Sequence, residues 1–106
     1  MPILHYKKRK YKYQVYEDFS IQTGIRDIDA ASDFIWLHPD GVLNISKGYA
    51  WDGASGPTWD TEDSMIASLV HDALYQLMRE GKLDRDQVRH EADMLLYKLF
   101  RVCSWH

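Results

Sequence analysis

The chain has 106 residues, 45% hydrophobic and 27% charged, with a net charge of −3, so it can bury one modest core and is not a disordered segment. One cysteine, Cys103, excludes an internal disulfide and a cysteine-based metal site, which fits a reducing compartment. No stretch approaches the ~18 consecutive apolar residues of a membrane span, and the N-terminus has no run of signal-peptide length, so a cytoplasmic protein is expected.

Charge is unevenly placed. Lys7, Lys8, Arg9, Lys10 and Lys12 hold five of the thirteen basic residues, which leaves the remainder acidic. Residues 5–13 interleave these bases with aromatics. Alternation predicts a β-strand with Tyr11, Tyr13 and Val15 inward and Lys10, Lys12 and Gln14 outward, the lysines guarding an exposed edge. The same stretch offers Lys8, Arg9, Lys10 and Lys12 as a contact for an anionic partner. A basic balance over the whole chain is absent, which argues against nucleic acid.

Phe19–Gln22 alternates and predicts a second short strand, ended by Thr23-Gly24. Residues 26–33 are polar and read as a loop. Phe34-Ile35-Trp36-Leu37 and Val42-Leu43-Asn44-Ile45 flank His38-Pro39-Asp40-Gly41, a strong turn signal, and so form a β-hairpin. Residues 1–50 are therefore expected to be a small antiparallel sheet. Residues 47–60 hold glycines, a proline and two tryptophans, and their composition excludes a regular element. Gly53, Ser55 and Gly56 would allow backbone groups to face a ligand, with Asp52 adding a carboxylate; tight connections also need glycine for purely steric reasons.

Two helices follow. Ile66, Leu69, Val70, Leu74 and Leu77 keep helical spacing and predict a helix over 61–80, capped by Asp60 or Thr61 and stopped at Gly81. Asp84 with Gln87 makes a capping-box pattern, and Leu83 with Val88 a hydrophobic staple, for a helix over 84–102. The short connection predicts an antiparallel helical hairpin and, for 1–106, a single α+β domain.

That hairpin pairs polar residues. His71 lies nine residues before Glu80 and Asp93 nine after Asp84, so the two face each other across the helices. A carboxylate there would fix the imidazole tautomer and stabilise its protonated form, leaving the other nitrogen to take a proton from water. Tyr75, one turn after His71, reaches the same carboxylate. Asp72 projects toward the Gly53–Gly56 loop, where a carboxylate and carbonyl oxygens suit calcium. The bland alternative is a hydrogen-bonded network that merely specifies the core.

At these residues the sequence resembles two groups. Trp51-Asp52-Gly53-Ala54-Ser55-Gly56-Pro57, His71-Asp72-x-x-Tyr75 and Ala92-Asp93 resemble a family of small phage and prophage proteins of unassigned function, over roughly residues 35–100. More distantly, His-Asp-x-x-Tyr followed by Ala-Asp is similar to parvoviral and secretory phospholipases of the A-two type. That second resemblance implies His71 activating water, Asp93 orienting it, Tyr75 bonding Asp93, and Asp72 with Gly53 holding calcium. Two expectations follow. One is a calcium-dependent hydrolase of lipid or other esters. The other is a non-catalytic phage protein, virion-associated or acting in the host cell, whose tryptophans or basic strand contact phage or host proteins.

Overall fold

The computed structural model describes residues 3–9, 12–52 and 62–104. Strands β1 (Tyr6–Arg9), β2 (Lys12–Val15), β3 (Phe19–Gln22), β4 (Ala30–Ala31), β5 (Ile35–Leu37), β6 (Val42–Ile45) and β7 (Ala50–Trp51) precede helices α1 (Glu62–Arg79) and α2 (Arg85–Ser104). The α+β class is as the sequence predicts.

The strands form two antiparallel sheets, β1-β2-β7 and β3-β6-β5-β4, where the sequence suggests one. The basic stretch is also not one strand: β1 and β2 are the arms of a hairpin, with Tyr6 opposite Val15 and Arg9 opposite Lys12. Tyr13 and Val15 are buried as their alternation requires. Two further strands lie where loops are expected. Ala30–Ala31 pairs with Leu37 and Trp36 of β5, and Ala50–Trp51 pairs with Gln14 and Tyr13 of β2. Neither two-residue strand carries a periodicity of its own; each takes its form from the partner it borders.

The β3-β6-β5-β4 sheet alternates cleanly. Phe19, Ile21, Ile35, Leu37, Leu43 and Ile45 face the core, while Ser20, Gln22 and Trp36 face out. Helix α1 is buried on nearly every side from Met65 to Val70, so it runs through the middle of the core rather than along its surface. Truncating a side chain such as Leu74 to alanine there would cost about 2–5 kcal/mol.

The turn between the helices follows the sequence, while the cap expected at Asp60 or Thr61 lies outside the described residues. Gly81 has φ +73°; its N–H bonds the Met78 carbonyl at 3.1 Å, and the Lys82 N–H bonds the Leu77 carbonyl at 2.8 Å, which is the Schellman arrangement. Asp84 caps α2, its carboxylate accepting from the Asp86 N–H at 3.0 Å, and Leu83 and Val88 are buried beside it. Helices α1 and α2 therefore lie side by side, which brings His71 and Asp93 together.

Candidate functional site

Helical geometry assembles the cluster in two steps. Spacing of four puts His71 and Tyr75 on one face of α1, and their rings meet with centroids 4.2 Å apart at an interplanar angle of 37°. The antiparallel crossing then brings Asp93 of α2 against both. The Tyr75 hydroxyl donates to Asp93 Oδ1 at 2.7 Å, and His71 Nε2 lies 3.6 Å from the same oxygen. Arg89, one turn before Asp93, sets its Nε 3.8 Å from Asp93 Oδ2. Asp93 thus has a donor or cation on each carboxylate oxygen.

The cluster is open to water. The His71 side chain is 28% exposed and that of Asp93 47%. With Nε2 turned to Asp93, Nδ1 has no hydrogen-bond partner among the described residues. No buried side-chain nitrogen or oxygen among them lacks a partner, so Nδ1 must be reached by solvent. An imidazole with one nitrogen toward a carboxylate and the other wet is arranged to accept a proton. Burial, with the bond to Asp93 next, raises the Tyr75 phenol above its ordinary value, so Tyr75 is a hydroxyl donor at neutral pH.

Asp72 looks the other way, into a setting that sequence reading did not assemble. The Trp51 indole N–H donates to the Ser68 hydroxyl at 3.0 Å, fastening the end of β7 to α1 one turn before Asp72. Asp52, the next residue, is thereby delivered to the neighbourhood of Asp72. Burial raises the Asp72 carboxyl above its ordinary value; His71 and Arg79 pull it down and Asp52 pushes it up. Tyr49 is buried nearby, donates its hydroxyl to Gln76 Oε1 at 3.1 Å, and is pushed up to about 12, chiefly by burial and then by Asp72.

A cation fits this side in kind. Asp72 and Asp52 are hard oxygen donors, and a divalent ion held by them would offset the negative charge that burial and mutual repulsion disfavour. Among the described residues no group of three or more His, Cys, Asp or Glu side chains gathers as a metal site, so further oxygens would have to come from elsewhere. Gly53 and the loop behind it lie outside the described residues.

The basic stretch does not join this cluster. The Lys8 ammonium sits 5.7 Å from the centre of the Tyr13 ring, and Lys7 and Lys47 lie 5.7 and 5.8 Å from that of Tyr16. Arg9 ends β1 and Lys12 begins β2, while Lys10 lies outside the described residues. Lysines held over tyrosine rings are partly occupied within the protein.

Two further members of the site, Arg89 and Tyr49, differ in how far the sequence announces them. Arg89 was legible, since it stands four before Asp93 on one helix face. Tyr49 was not, because nothing local ties position 49 to position 76. No helix among the described residues is long and apolar enough to cross a membrane. Compared with models of known protein families, with functionally characterised proteins and with solved structures, the chain has no match.

Proposed function

We propose that this protein is a small phage-type hydrolase of ester bonds, with phospholipids among its candidate substrates and His71 as the general base. The observation that carries this reading is the shared Asp93 Oδ1, which faces both the Tyr75 hydroxyl and His71 Nε2 while His71 Nδ1 remains wet. In this reading Nδ1 takes the proton of a water molecule as that water attacks an ester carbonyl. Asp93 holds the ring in the productive tautomer and offsets the positive charge that develops on it. Tyr75, and Arg89 on the far oxygen, keep the carboxylate from turning away. A calcium ion, held by Asp72 and Asp52 with loop oxygens, would supply positive charge for the carbonyl oxygen.

The test is hydrolysis of phospholipid vesicles and of a soluble p-nitrophenyl ester, with calcium and with chelator. Wild-type turnover that disappears in His71→Ala and falls steeply in Asp93→Asn supports the reading. Equal turnover in wild type and His71→Ala sinks it.

One distance favours a second reading. At 3.6 Å, His71 Nε2 and Asp93 Oδ1 are farther apart than a hydrogen bond, whereas Tyr75 to Asp93 is a short one. On that view Tyr75–Asp93 is a clamp between helices in a virion or host-interaction protein. Asp93→Ala would then lower the melting temperature by several degrees, with no hydrolysis under any condition.

A further inference from the structure

We infer that the outer face of the β3-β6-β5-β4 sheet is a binding site for a neutral carbohydrate, with Trp36 as its stacking platform.

Register makes this face. Ser20 of β3 stands opposite Asn44 of β6, Asn44 opposite Trp36 of β5, and Trp36 opposite Ala31 of β4, so one rung crosses four strands. Along β5 and its two ends, Phe34, Trp36 and His38 share that outer face at alternate positions. A column of aromatic side chains along β5 therefore meets, at Trp36, a row of hydrogen-bonding ones, Asn44 and Ser20. Phe34 is 43% exposed and Trp36 47%, so both rings are open to a ligand on this face.

The aromatic and polar groups are already held in place. The Trp36 indole N–H donates to Asp29 Oδ1 at 2.8 Å, and one face of the ring stacks on His38 with centroids 4.1 Å apart. The other face lies on the Phe34 side, where a cleft of about 350 Å³ opens between Phe34, Trp36, Ser20, Asn44, Asp18 and Asp33. The Ser20 hydroxyl donates to Asn44 Oδ1 at 2.6 Å, and the Asn44 amide nitrogen meets His38 Nε2 at 2.6 Å, which fixes the amide's orientation. Groups that need no rearrangement lose little entropy on binding.

Charge and shape select the ligand. The cleft lining contains the carboxylates of Asp18 and Asp33 and no basic side chain, which disfavours phosphates, nucleic acids and acidic sugars. Asp33 has no ion-pair or hydrogen-bond partner among the described residues, so its carboxylate is available to hydroxyl donors. A quaternary ammonium would want rings facing one another as a cage. Here Trp36 stacks on His38 and makes no ring contact with Phe34, so no cage faces the cleft. A pyranose matches instead: its C–H face suits the negative face of an indole, and its hydroxyls suit a fixed amide and carboxylates. A second groove of about 610 Å³ shares Asp33 and Phe34 and extends to Gln76, Glu80 and Lys82, so an oligosaccharide has a path beyond the first ring, with one basic side chain at its far end.

The test is titration of the whole protein with cellohexaose, maltohexaose, chitohexaose and mannohexaose, and separately with tetramethylammonium chloride, following the indole N–H resonance of Trp36. At least one oligosaccharide should shift that resonance saturably, with a Kd of about 1 mM or tighter. Trp36→Ala should weaken binding at least about tenfold and Trp36→Phe much less, with the wild-type resonance reporting the site should the alanine variant misfold. His71→Ala should bind as the wild type does, so failure of the hydrolase reading leaves this result untouched. Absence of saturation by every oligosaccharide up to about 10 mM overturns the inference, as does binding of tetramethylammonium alone. Undiminished binding by a folded Trp36→Ala variant overturns it too.

Discussion

Asp72 follows His71 in the chain and Asp93 faces it across the hairpin, yet the two carboxylates have opposite surroundings. Asp93 stands at the open side with the Tyr75 hydroxyl and His71 near one oxygen and Arg89 near the other, so its neighbours are donors and cations. Asp72 is half-buried on the β7 side, where Asp52 adds a second negative charge and burial already disfavours ionisation. A carboxylate surrounded by donors can orient and neutralise an imidazole without further help. One that is half-buried beside another carboxylate gains from a cation. Under the proposed function the contrast makes Asp93 the partner that orients His71 and Asp72 the ligand of any cation.

The largest effect expected from this division is on turnover. His71→Ala should lower kcat/KM for ester hydrolysis at least about 100-fold while leaving the far-ultraviolet spectrum unchanged. Retained turnover would remove Asp93's side of the contrast. Next comes calcium. If Asp72 belongs to a cation site, calcium at about 100 times its Kd should stabilise the wild type by about 2.7 kcal/mol, seen as a rise in melting temperature. Asp72→Asn should abolish that rise and Asp93→Asn should not; equal loss in both variants would erase the distinction between the two carboxylates.

A smaller effect belongs to the clamp. Tyr75→Phe deletes one hydroxyl bonded to a half-exposed carboxylate, worth about 0.5–1 kcal/mol once solvent competition is allowed for. The melting temperature should fall by a few degrees, on the order of 4–8 °C per kcal/mol. The smallest effect is a pH slope. Asp72's carboxyl is raised on folding, chiefly by burial, above the 3.8 of the free group. Its contribution to stability is therefore fully present below 3.8 and is lost as pH rises through the folded-state value. In metal-free buffer, Asp72→Asn should melt slightly higher than the wild type at neutral pH, with the part of the difference due to ionisation vanishing in acid. A difference independent of pH would show that the aspartate's charge is not what the site resists.

Much of the helical half is legible in the sequence. The apolar stripe from Ile66 to Leu77, the glycine stop at Gly81 and the Asp84 cap all act within a few residues of chain. Counting outward from the turn was enough to pair His71 with Asp93, because antiparallel helices joined by a short link have little freedom to slide. The β half was less legible. Ala30–Ala31 and Ala50–Trp51 are too short to show alternation, and they are strands because of what they border. The split of the strands into two sheets, and the folding of the basic stretch into a hairpin, depend on pairings that no local pattern encodes.

By itself the sequence determined the two helices, their turn and the meeting of His71, Tyr75 and Asp93, since helical period and a short loop are local constraints. Tertiary structure alone decided that Trp51 would fasten β7 to Ser68 and so bring Asp52 toward Asp72. It also decided that Ser20, Asn44 and Trp36 would share one outward rung. Both depend on sheet register and side-chain packing between segments far apart in the chain, which become defined when the core closes around them.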